Sequence, residues 1–142
     1  MIDYQTDYYG WTEEQAFLLK SGRWQEIDIN NIIEEIESMG RSEKRSLESR
    51  LTVLLTHLLK WQYQPVRRGK SWQLTIKGQR VSCSDVLDDN PSLKNKLDEL
   101  FIKSYYRAKL EAAKETGLDE EFFPATCPYT LNQVFDHTYY PD

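Results

Sequence analysis

The sequence predicts an all-α fold: a compact, single-domain helical bundle over residues 1–142, with two long helices and several shorter ones. Three observations carry this expectation. Apolar residues recur at spacings of three and four through most of the chain, and Gly and Pro punctuate the segments at helix-ending positions. There is also no convincing set of alternating segments from which to build a sheet. A chain of 142 residues is the size of one ordinary domain and can bury roughly two-thirds of its unfolded surface, so it needs no metal or disulfide staple.

The first segment is expected to start at Thr12, which forms a capping-box pair with Gln15. It runs through Ala16, Phe17 and Leu19 and stops at Gly22. The second starts after Asp28, a good N-cap, and places Ile29, Ile32, Ile33, Ile36 and Met39 at helical spacing. Gly40 is expected to close it. The third is capped by Ser42 and runs to about Tyr63. Its stripe is Leu47, Leu51, Leu54, Leu55, Leu58 and Trp61, and Pro65 ends it, since proline lacks an amide hydrogen and disfavours helix in the residue before it.

Residues 71–88 admit two patterns. Trp72, Leu74 and Ile76 alternate as in a strand, whereas Trp72, Ile76, Cys83, Val86 and Leu87 fit a helix. With no partner strand available, helix is preferred. The fifth segment has Asn90 as cap, Pro91 at the first helical position and Gly117 after its end. Leu93, Leu97, Leu100, Phe101, Tyr105, Ala108 and Ala112 form its stripe. In the aromatic tail, Thr130 and Gln133 form a capping box on a short last helix, and Phe122, Phe123, Tyr129 and Phe135 are expected to cover the bundle.

Composition excludes several classes. No stretch approaches the ~18 consecutive apolar residues of a membrane-spanning helix. The acidic, aromatic N-terminus has neither the basic nor the apolar region of a signal peptide. Cys83 and Cys127 are therefore expected to be reduced thiols of a cytoplasmic protein. No Gly-rich phosphate loop, nucleophile elbow or paired-cysteine zinc motif is present, and no cofactor is expected.

Charge is the main anomaly. The net charge is −5, yet residues 49–84 contain Arg50, Lys60, Arg67, Arg68, Lys70, Lys77 and Arg80 and no acid. Within HLLKWQYQPVRRGKSW (residues 57–72), Trp61, Tyr63 and Trp72 interleave with Arg67, Arg68 and Lys70. Cations that neutralise phosphate, set beside rings that stack on bases, could bind nucleic acid. Aromatics and Arg also anchor protein interfaces. Alternatively, these cations pair with the chain's own surplus acids, for example Glu34, Glu35 and Glu37, while the rings anchor the turn to the core. The acidic net charge opposes non-specific nucleic-acid binding.

Two further constellations were weighed. Arg50 and His57, in RLTVLLTH, lie two turns apart on one helix face. This spacing resembles the arginine–histidine motif of the HEPN family of small all-α domains, which includes metal-independent ribonucleases. That likeness implies His57 as acid or base and Arg50 as phosphate holder. Glu34, Glu37 and Glu48 with His57 could also form an oxygen-rich metal site. The Glu-x-x-His spacing of di-iron bundles is absent, however, and no metal is expected. Ile32, Ile33 and Ile36 are expected to take the core face, leaving Glu34 and Glu35 in solvent. Glu37 would be partly buried and joined with Glu34 and His57 in a polar network.

Three blocks carry a resemblance across essentially the whole chain: DYYGWTEEQAFLLKSGRWQEIDINNIIEEIESMGRSEKRSLESRL, then LLTHLLKWQYQP with RGKSW, then TGLDEEFFPATCPYTLNQVFD. Together they resemble the bacterial domain of unknown function 29, a family abundant in cyanobacteria. The resemblance implies a compact all-α cytoplasmic domain and supports helix over strand for residues 71–88. It implies no activity, so no catalytic residue is carried over.

The expectation is therefore a non-catalytic domain binding a protein or nucleic-acid partner through Trp61, Tyr63, Arg67, Arg68, Lys70 and Trp72, away from any membrane. The alternatives are a ribonuclease using Arg50 and His57, and a regulatory homodimer joined through the aromatic tail.

Overall fold

The computed structural model describes residues 1–142 as an all-α chain with five α-helices and no strand. They are α1 (Tyr8–Lys20), α2 (Ile29–Tyr63), α3 (Lys70–Asp89), α4 (Leu97–Thr116) and α5 (Leu131–Phe135), with single 3₁₀ turns between them. Spatially, the chain divides into two compact units, Met1–Ser42 and Glu43–Asp142.

In the first unit, α1 starts one turn earlier than expected. Asp7 is its N-cap, and the Asp7 carboxylate accepts from the Gly10 amide at 3.0 Å. Thr12 instead donates its hydroxyl to the Tyr9 carbonyl, and Gln15 turns inward to accept from the Asp28 amide at 2.7 Å. The buried face of α1 is Trp11, Gln15 and Leu18, while Ala16, Phe17 and Leu19 are exposed. Gly22 closes the helix with φ +69°, a left-handed conformation that glycine adopts without steric cost.

The expected break at Gly40 and Ser42 does not occur. Helix α2 runs unbroken from Ile29 to Tyr63, and Gly40 keeps a negative φ. A glycine inside a helix costs only about 1 kcal/mol relative to alanine. Arg41 bonds Glu34 at 2.9 Å and approaches Glu37 at 3.8 Å, and these surface pairs tie together the turns around Gly40.

The expected core face of this stretch is also displaced. Ile33 and Ile36 are 46% and 59% exposed, whereas Asp28, Asn31, Ile32 and Glu35 are half-buried. The inward positions are taken by polar groups with partners. Asp28 accepts from Trp11 Nε1 at 3.0 Å and from Asn31 at 2.8 Å, and Glu35 accepts from the hydroxyls of Tyr4 and Tyr8.

The second unit holds the main core. From α2, Leu47, Leu51, Leu54, Leu55, Leu58 and Leu59 are fully buried. They meet Ile76, Cys83 and Leu87 of α3, and Leu100, Tyr105, Ala108 and Ala112 of α4. Burying one such leucine is worth about 1.5–3 kcal/mol. Residues 71–88 are helical, with Ile76 buried and Leu74 turned out, which breaks the strand-like alternation.

Asn90 serves the end of α3 rather than the start of the next helix. Its amide and its side chain both donate to the Val86 carbonyl, at 2.9 and 3.0 Å. Pro91–Lys96 is then a 3₁₀ segment, and α4 begins only at Leu97, with Asp98 and Glu99 at its positive end. Gly117 closes α4 at φ +75°.

The tail packs as expected for Phe123, Tyr129 and Phe135, whereas Phe122 is 54% exposed. The Thr130–Gln133 capping box is present at the start of α5. No helix is long and apolar enough to cross a membrane.

Candidate partner-binding corner

The corner is built where α2 stops. Pro65 opens a short 3₁₀ turn, Pro65–Arg67, and Gly69 precedes α3. The turn exposes Val66 (93%), Arg67, Gly69 and Lys70. The side chains of Arg67 and Lys70 make no hydrogen bond and no ion pair, so their charge is presented wholly to solvent.

The rest of the corner is engaged internally. Arg68 Nε donates to the Trp61 carbonyl at 2.6 Å, and Nη2 donates to the Asp142 main-chain oxygen at 2.7 Å. Its guanidinium lies 5.3 Å from the Trp61 ring centre, and that ring packs 4.9 Å from Tyr140. Tyr63 stands edge-on to Phe122 and Phe123. Lys60 sits 4.8 Å over Trp72 and pairs with Glu115 at 3.3 Å. Of the six expected contact residues, Arg67 and Lys70 are therefore free at the surface. Trp61, Tyr63, Arg68 and Trp72 form the half-buried base on which the turn rests.

The pairing expected with Glu34, Glu35 and Glu37 is replaced by other partners. Glu34 and Glu37 go to Arg41, and Glu37 is exposed rather than partly buried. Glu35 accepts from Tyr4 and Tyr8. Among the cations of residues 49–84, Lys60 alone meets a carboxylate. Arg68 and Arg80 are held by main-chain oxygens, and Arg50 donates to Ser46 Oγ at 3.3 Å.

His57 is half-buried and its Nδ1 lies 2.9 Å from the Val53 carbonyl, which requires the proton on Nδ1. Burial holds its pKa below the usual imidazole value, and nearby Lys60 adds to that effect. Arg50 and His57 thus make separate hydrogen bonds on α2. Glu48 meets Arg107 at 3.6 Å, and no cluster of three or more His, Cys, Asp or Glu is arranged for a metal ion. Both cysteines are free, and burial pushes Cys83 up to about 12 and Cys127 up to about 11.

Arg80 is the residue that sequence reasoning missed. It is 1% exposed and clamps the tail by donating to the carbonyls of Val134 (2.8 Å), Tyr139 (2.7 Å) and Gln133 (3.4 Å). Its position was a usable signal: Ile76, Arg80, Cys83 and Leu87 share one helix face, so a cation sits inside an apolar stripe.

These features define an all-α domain with a fixed aromatic base and a cationic turn. The chain belongs to the family described as domain of unknown function DUF29, whose model matches residues 4–140. Searches of curated proteins and of solved structures gave no match.

Proposed function

We propose that this protein is a non-catalytic helical binding domain, acting in the cytoplasm, that docks an anionic partner surface on the turn Val66–Lys70. The partner is a protein or a nucleic acid. The observation that carries this reading is the contrast within one corner. Arg68 is fixed by main-chain oxygens and Lys60 by Glu115, whereas Arg67 and Lys70, on the same turn, have no partner. A cationic turn on a rigid aromatic base loses little conformational freedom when a partner binds. The two free thiols support a reducing compartment.

The test is Arg67→Glu combined with Lys70→Glu, assayed for partner capture at low and high salt. The double variant is expected to fold normally and to lose capture, and unchanged capture would remove this turn as the site. Arg68 is unsuitable for the test, because its bonds to Trp61 and Asp142 are part of the fold.

A further inference from the structure

We infer that the cavity beside Arg80 in the second unit is a binding site for a small organic monocarboxylate with an apolar body. The cavity has a volume of about 370 Å³, within the range of about 300–1,000 Å³ found for small-molecule sites. Its polar wall consists of Arg80 and Asp88 from α3, Lys94 from the 3₁₀ segment and His137 from the tail. Its apolar floor is Leu87, Leu97 and Phe135.

Arg80 is the reason to expect an anion. A guanidinium carries five N–H donors. Nε and Nη2 are occupied by three carbonyls, whereas Nη1 is buried without any hydrogen-bond partner. No carboxylate bonds this cation. The nearby Asp136 spends its oxygen on the amide and hydroxyl of Thr138, at 2.9 and 2.8 Å. A buried charge and a buried donor left unmatched are both costly, and an anion beside them removes both costs.

The rest of the wall narrows the ligand. Lys94 is exposed and forms no ion pair, so it can supply a second donor at the cavity. Arg80 and Lys94 set against Asp88 leave one surplus positive charge, which suits a monoanion better than a dianion. The leucine and phenylalanine floor suits an aromatic or branched aliphatic body.

The experiment is an amide NMR titration of the full chain with 3-phenylpropanoate, compared with 3-phenylpropan-1-ol and with inorganic phosphate. The carboxylate is expected to shift Ser84, Leu87 and Phe135 saturably. The alcohol should bind at least about tenfold more weakly, the usual consequence of losing one charge-assisted hydrogen bond. Lys94→Glu should weaken the carboxylate by about tenfold as well. Ser84→Trp, from an exposed position on the cavity wall, should abolish binding with an unchanged helical spectrum. These variants avoid Arg80, on which the tail's packing depends. The inference is overturned if 3-phenylpropanoate gives no saturable shift at these amides at millimolar concentration, or if acid and alcohol bind equally. Binding unaffected by Ser84→Trp, or phosphate binding more tightly than the carboxylate, would overturn it too.

Discussion

Arg80 holds three main-chain carbonyls of the tail, and replacing it strands all three. Each buried acceptor left without a donor costs about 1–3 kcal/mol, so Arg80→Leu is expected to destabilise the second unit by about 3 kcal/mol or more in urea unfolding. A loss indistinguishable from zero would mean that the tail is held by its aromatics alone.

His57 has a pH signature of opposite origin. Burial lowers its folded pKa below 6.5, so the unfolded chain binds the proton more readily. Its contribution is complete above 6.5 and fades as pH falls towards the folded value. His57→Gln should therefore flatten the decline in stability just below pH 6.5. Asp28 and Glu35, whose pKa values are lowered first by hydrogen bonds from Asn31 and from Tyr4, act later, as pH falls through the acid range. Cys83, buried and raised to about 12, should react with a thiol reagent only after unfolding, and faster reaction than Cys127 would contradict its placement.

At the scale of elements, the helices are legible where an apolar stripe coincides with a steric stop. Pro65 and Gly117 end α2 and α4 as expected, because a missing amide hydrogen and a left-handed φ act locally. Gly40 misleads because a glycine with negative φ is only a weak penalty, and propensity and ion pairs on both sides outweigh it. The start of α1 is obscured because Thr12 and Gln15 have the capping-box spacing while Asp7 and Asp28 claim the relevant groups. An added Cβ at Gly40 meets nothing within 4 Å. Gly40→Ala is thus expected to stabilise α2 by about 0.5–1 kcal/mol, read as a higher denaturation midpoint. Destabilisation would show that the helix does bend there.

At the scale of the whole molecule, all buried members of the large core lie between Leu47 and Val134, inside the second unit. A fragment spanning residues 43–142 is expected to unfold cooperatively by itself, and a non-cooperative fragment would contradict that division. The charge asymmetry was legible in the sequence, since seven cations without an acid stand out in any acidic chain. Which of those cations stay free was not legible. That depends on where carbonyls of the distant tail arrive, and spacing along the chain does not encode it.

The central claim is that the free pair, Arg67 and Lys70, makes the turn a docking site. The most direct measurement is a photo-crosslinking residue placed at Val66, which is 93% exposed, in cells of the source organism. The account predicts one dominant adduct that is reduced by salt and lost when Arg67→Glu and Lys70→Glu are added. An adduct that persists in that double variant, or no adduct at Val66 while the protein remains folded, would contradict it.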